Sequence, residues 1–150
     1  MFNNILVAVD GSDSSIQALD YAAHLADQNK ATLFIISAIE PLPTLYSGGA
    51  SQSYVKQHLD MMYKSYTKIQ KTHIERLSAK YSSLTITSRI KEGRPASVIK
   101  EESKDADLIV IGHRGQGSIL SWVLGSVAKQ IVDSCTVPVL VVKDKDYCPI

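Results

Sequence analysis

Residues Asp107–Val127, DLIVIGHRGQGSILSWVLGSV, decide how this chain folds. Leu108-Ile109-Val110-Ile111 is a short apolar run with β-branched residues and acids just before it. It predicts a strand buried on both faces. Gly112, Arg114, Gly115 and Gly117 then make a loop, and Gly125-Ser126 stands at the start of an apolar helix pattern. Glycines let a backbone come close to a ligand, and the amides of a helix start direct partial positive charge at an anion. With an arginine in the same loop, the stretch reads as a phosphate cradle.

Working outward, the same alternation of strand and helix recurs. Ile5 to Val9, ILVAV, predicts a first buried strand, ended by Asp10-Gly11-Ser12. Ser12, Asp13 or Ser14 can cap the helix that follows, whose apolar face is Ile16, Leu19, Ala22, Ala23 and Ala26. Leu33 to Ile36, with Ala38 and Ile39 beyond, make a second strand. Pro41 to Ser53 is a 13-residue loop of Pro, Gly and Ser, either a lid or a flexible insertion. A long helix is predicted from about Gln52 to Tyr81, with Val55, Leu59, Met62, Tyr66, Ile69, His73 and Leu77 on one face. His73 reads as a packed or partly exposed residue rather than a ligand, and Met61, Met62 and the tyrosines as core filling.

Leu84 to Ile90 alternates apolar and polar, which suits a half-exposed strand at a sheet edge. Pro95 suits the first position of a short helix containing Val98 and Ile99. After the cradle, a helix presents Leu124, Val127, Ala128, Ile131 and Val132 on one side, and Thr136 to Val142 closes the chain as a fifth strand. The pattern specifies an α/β fold: one domain, 1–150, built on an open parallel five-stranded sheet with helices on both faces, Rossmann-like. The strand order 3-2-1-4-5 brings the ends of strands one and four to one crevice and leaves strand three at an edge.

The chain has 150 residues and a net charge of +1, so nothing in its charge balance points to nucleic acid or an anionic membrane surface. At this size roughly 70% of the unfolded surface can be buried without a disulfide or metal. MFNNILVAVD lacks the basic start of a signal peptide, and no apolar run approaches the ~20 residues of a membrane span. Cys135 and Cys148 have no metal-ligand spacing. A cytoplasmic protein with two reduced thiols is expected.

At the crevice, Asp10 can accept hydrogen bonds from ribose hydroxyls or a base amine, and Ser37-Ala38-Ile39 supplies an apolar wall. The commoner phosphate motifs fail: no lysine precedes Ser118 as a P-loop requires, and Gly115-Gln116-Gly117 does not complete a dinucleotide fingerprint. There is neither a Gly-x-Ser-x-Gly elbow nor a His-Glu-x-x-His helix.

What does match is Gly112-x2-Gly115-x9-Gly125-Ser126, with ILVAVDGS at the start and CTVPVLVV near the end. Together these resemble the ATP-binding subclass of the universal stress protein family, over essentially the whole chain. The resemblance implies a cytosolic, nucleotide-dependent stress-response switch with ATP as cofactor. Asp10 would contact the adenosine, Ala38 would line the adenine pocket, and Gly112 and Gly115 would let the loop wrap the phosphates with Arg114 alongside. Gly125, Ser126 and the Val127 amide would hold phosphate oxygens. His113 reads as a solvent or interface residue rather than a ligand. Mg²⁺ could accompany ATP against Asp10 and Asp13, although two acids at a helix start are commoner as caps.

The competing readings are a slow ATPase or phosphotransferase using the same pocket, and a dimeric interaction module with incidental nucleotide. Phosphoryl transfer wants a placed base and several charge-neutralising groups, and this loop offers one arginine and one histidine. No enzyme is therefore expected. Val137 to Val142 is almost uniformly apolar at a predicted edge, which invites pairing with another chain. The resemblance likewise implies a homodimer through this strand.

Overall fold

The computed structural model describes residues 1–42, 52–116 and 124–143. In chain order the elements are β1 (Asn4–Ala8), α1 (Asp13–Asn29), β2 (Thr32–Ile39), α2 (Gln52–Lys80), β3 (Ile86–Glu92), α3 (Pro95–Glu102), a 3-10 turn (Ser103–Asp105), β4 (Leu108–Gly112), α4 (Ser126–Ser134) and β5 (Val139–Val142). The strands form one parallel sheet in the order β3-β2-β1-β4-β5. This is the predicted topology.

Because alternate strand residues face opposite sides, the sheet divides its apolar residues between two cores. Ile5, Val7, Leu33, Ile35, Leu108 and Val110 pack with Ala18, Leu19, Ala22 and Ala23 of α1 and Leu77 of α2. Leu6, Ile36, Ile109 and Ile111 pack with Val98 and Ile99 of α3 and Ala128 and Ile131 of α4. The central strands are covered on both faces, hence their unbroken apolar runs.

Local signals fix where the elements begin and end. Ser12 caps α1, its hydroxyl accepting from the Ser15 amide at 3.2 Å. Lys30 ends that helix in the left-handed region with φ of 57°. Pro95 occupies the first turn of α3, where its missing N–H is not needed.

Three boundaries shift from the sequence expectation. β3 runs later than Leu84–Ile90, because its pairing with β2 continues to Ile39 and Glu92. As an edge strand its centre is exposed, and Arg89 lies over the Phe34 ring. β5 is shorter than Thr136–Val142, since Pro138 contributes only its carbonyl, which accepts from the Ile109 amide. Val132 does not join the buried face of α4 but stands 47% exposed.

Of the apolar face expected along α2, Tyr66 and Leu77 are buried, while Val55, Leu59, Met62, Ile69 and His73 are half-buried. Twenty-nine helical residues span roughly 43 Å, whereas the longest strand spans roughly 26 Å, so the first half of α2 runs past the sheet. Where α2 does meet the sheet, Gln70 Nε2 donates to Ser37 Oγ at 2.9 Å and to the Arg89 carbonyl at 3.0 Å. Ser37 Oγ in turn donates to the Val9 carbonyl at 2.6 Å. This buried relay ties α2, β3 and β2 to the end of β1, immediately before Asp10.

At the opposite end of the sheet, Asp107 Oδ2 accepts the amides of Asn3 at 2.6 Å and Asn4 at 2.9 Å. Those two bonds lower the Asp107 pKa below its usual value. In the unfolded chain the carboxyl titrates near ~3.9, so its stabilising effect is complete above that range and disappears as pH falls through the lower folded value. Asp107→Ala is therefore expected to lower the urea midpoint at about pH 7, by a margin that shrinks as the pH is taken below ~3.9. A gap independent of pH would contradict this assignment.

Candidate functional site

β1 leads to β2 on one side and neighbours β4 on the other, so the carboxyl ends of β1 and β4 flank the point where the winding reverses. A cleft opens there of about 460 Å³. Asp10, Ala38, Gly112, Arg114, Gly115, Gly125, Ser126 and Val127, the eight residues singled out from sequence, all line it. The rest of the loop expected over Gly112 to Gly117, from Gly117 on, and most of the Pro41–Ser53 loop, lie outside the described residues.

Gly11 turns the chain sharply after Asp10, with φ of 84°. Asp10 then anchors the neighbouring loop. Its Oδ1 accepts the Ser12 amide at 2.9 Å, and its Oδ2 accepts the Gln116 amide at 3.1 Å. Gln116 Nε2 also donates to the Asp10 carbonyl at 2.6 Å. Ser12 Oγ donates to Oδ1 as well, so it is Oδ2, with one acceptor site unused by these bonds, that keeps capacity for a ligand hydroxyl while holding the loop. Asp13 is exposed in the first turn of α1, where it complements the helix dipole.

Glycine is required at the end of β4 by close approach. A Cβ on Gly112 would lie 2.7 Å from the Ser14 carbonyl carbon and 2.8 Å from its oxygen. A Cβ on Gly115 would lie 2.6 Å from Asp10 Oδ2. The Gly125 amide donates to the His113 carbonyl at 2.8 Å, pulling the start of α4 against the loop. Gly125 has no side chain to cap α4, whose first-turn residues Ser126, Val127 and Ala128 face the cleft. Uncapped amides at a helix start suit an anion.

The remaining wall is apolar: Ile36 and Ala38 from β2, Ile99 from α3, and Met62 with Tyr66 from α2. Two expectations are corrected here. Met61 is exposed, not core filling, and Met62 and the buried Tyr66 also form a wall of the cleft, because α2 overhangs the strand ends. Burial, and then the charge of Asp10, raise the Tyr66 pKa. His113 is buried, at 4% exposure, instead of facing solvent or an interface. Its Nδ1 lies 3.2 Å from Ser14 Oγ, and its Nε2 accepts from Arg114 Nε at 2.9 Å. Periodicity marked Tyr66 only as apolar-face, and nothing local pairs Ser14 with His113 across ninety-nine positions.

Residues 1–143 match the family model described as the universal stress protein family. The chain belongs to the universal stress protein family. Universal stress protein YxiE of Bacillus subtilis is 33% identical over 148 residues, covering 95% of this chain and 100% of that protein. Among solved structures, UspA from Lactobacillus plantarum superposes with a TM-score of 0.82 at 24% identity, covering 94% of this chain and 97% of that one. A universal stress protein in complex with cAMP superposes with a TM-score of 0.70 at 29% identity, over 94% of this chain and 97% of that one. In this universal stress protein no described helix is long and apolar enough to cross a membrane.

Proposed function

We propose that this universal stress protein binds ATP in the cleft between the ends of β1 and β4 and acts as a nucleotide-dependent regulator in the cytoplasm. The observation that carries the reading is the convergence of an apolar slot, a carboxylate and an anion-suited loop and helix start on one cleft. The adenine would lie against Ala38 and Ile36, near Met62 and Tyr66. Asp10 would accept from the ribose, and Arg114 with the Gly125–Val127 helix start would receive the phosphates. The related protein solved with cAMP supports an adenine nucleotide as the ligand class.

The same geometry supports a holder rather than a consumer of ATP. Both oxygens of Asp10 already accept amides, and Ser12 Oγ also donates to Oδ1, so this carboxylate is poorly disposed to serve as a general base or cation ligand. Acid extraction of the purified protein, followed by nucleotide identification, tests the reading. Intact ATP is expected. ADP with phosphate released over time would indicate an ATPase, and the absence of nucleotide together with no calorimetric binding of added ATP would refute the proposal.

We further propose a homodimer through β5. Val139, Leu140 and Val141 are only half-buried on an edge strand that pairs with β4 alone among the described residues. Val141→Lys places a charge on that edge and is expected to convert dimers to monomers in size-exclusion chromatography. An unchanged elution volume would exclude this interface.

A further inference from the structure

We infer that His113 is a positioning residue that, held by Ser14, fixes the Arg114 guanidinium at the cleft wall as a neutral imidazole protonated at Nδ1. This rests on the nucleotide reading above and assigns the group that orients its phosphate-facing arginine.

The backbone of His113 is pinned from both sides. Its amide donates to the Val142 carbonyl at 2.9 Å, and its carbonyl accepts the Gly125 amide at 2.8 Å. The side chain is then directed inward, where Ser14 Oγ lies 3.2 Å from Nδ1. Arg114 Nε approaches Nε2 to 2.9 Å. An arginine Nε always carries its proton, so at this contact it can only donate, and Nε2 must present a lone pair. The ring proton therefore sits on Nδ1 and is donated to Ser14 Oγ. One hydrogen bond thus fixes the tautomer that makes the other. The Arg114 amide points at the same Ser14 oxygen from 3.5 Å, so residue 114 is held at its backbone and its guanidinium.

The consequence for binding is preorganisation. Anchoring the guanidinium at Nε sets its plane, and a phosphate is gripped through the planar N–H fork. Ordering a long side chain beforehand removes part of the entropy cost that binding would otherwise carry. His113 and Arg114 should then act as one unit, felt by ligands that carry phosphate and not by those that lack it.

The test combines spectroscopy with binding. Long-range ¹H–¹⁵N correlation on the ¹⁵N-labelled wild-type protein should show His113 as the Nδ1–H tautomer, its signal assigned by its loss in His113→Gln. Calorimetry with ATP and with adenosine should show His113→Leu lowering ATP affinity about tenfold with adenosine unchanged, a coupling of about 1.4 kcal/mol. Arg114→Ala should have a similar effect, the double variant should lose no more than either, and His113→Gln, whose amide oxygen can accept from Arg114 Nε, should recover most of the affinity. An Nε2–H tautomer overturns the inference, whatever becomes of the variants' folding. So do additive losses, or equal losses for ATP and adenosine. A wild-type protein that binds neither ligand overturns the nucleotide reading itself, and is told apart because no variant comparison is then needed.

Discussion

Gly115→Val is expected to lower ATP affinity by more than about 100-fold, about 2.7 kcal/mol, while leaving the protein folded. The added Cβ would fall 2.6 Å from Asp10 Oδ2, the oxygen that accepts the Gln116 amide. The Asp10 carboxylate and the loop must then separate. This displaces the ribose acceptor and the arginine loop together, and β-branching keeps the chain from bending back towards a ligand. Residue 115 is exposed, so the sheet and both cores need not change. Calorimetric titration with ATP, alongside a urea midpoint for the same variant, checks both halves. Wild-type affinity would show that nucleotide does not depend on this approach.

Gly112→Ala has the opposite profile, a large loss of stability. Its Cβ would meet the Ser14 backbone carbon at 2.7 Å and oxygen at 2.8 Å, besides the Ser14 hydroxyl at 2.5 Å. A hydroxyl can rotate away, but the first turn of α1 can move only by leaving the core formed by Ala18, Leu19 and Ala22. Overpacking of this kind costs about 3 kcal/mol, readable as a lowered urea midpoint with unchanged slope. Ser14→Ala should not rescue it, because the backbone clash remains. An unaltered midpoint would mean that α1 and β4 are less rigidly packed than described.

These two glycines show what the sequence could and could not convey. Their spacing with Gly125-Ser126 pointed to one cradle, and all four residues do line one cleft. Gly112 has a second reason that spacing does not suggest: it admits the start of α1, and only a tertiary contact could reveal that. The topology was legible because Ile5 to Val9 and Leu108 to Ile111 are unbroken apolar runs, while the polar residues of β3 place it at an edge. Strand ends were less legible, since pairing partners such as Ile39 with Glu92 set them, rather than local composition.

Side chains whose roles depend on distant partners escaped the reading altogether. Tyr66 follows the helical apolar period that marks a core residue and is buried as one, and only the overhang of α2 makes it a wall of the cleft as well. His113 has polar and glycine neighbours that suggest exposure, yet Ser14 and Arg114 satisfy both of its nitrogens in a buried position. Gln116, which joins the loop to Asp10 through two hydrogen bonds, carries no sequence signal of that role.

The central claim, an adenine nucleotide held between the ends of β1 and β4, is tested most directly by titrating ATP into ¹⁵N-labelled protein and following its backbone amides. Saturable shifts are expected, concentrated at Asp10, Ala38, Arg114, Gly115, Gly125, Ser126 and Val127. No saturable shifts, or shifts gathered instead at the far end of the sheet around Asn4, Thr32 and Thr87, would contradict it.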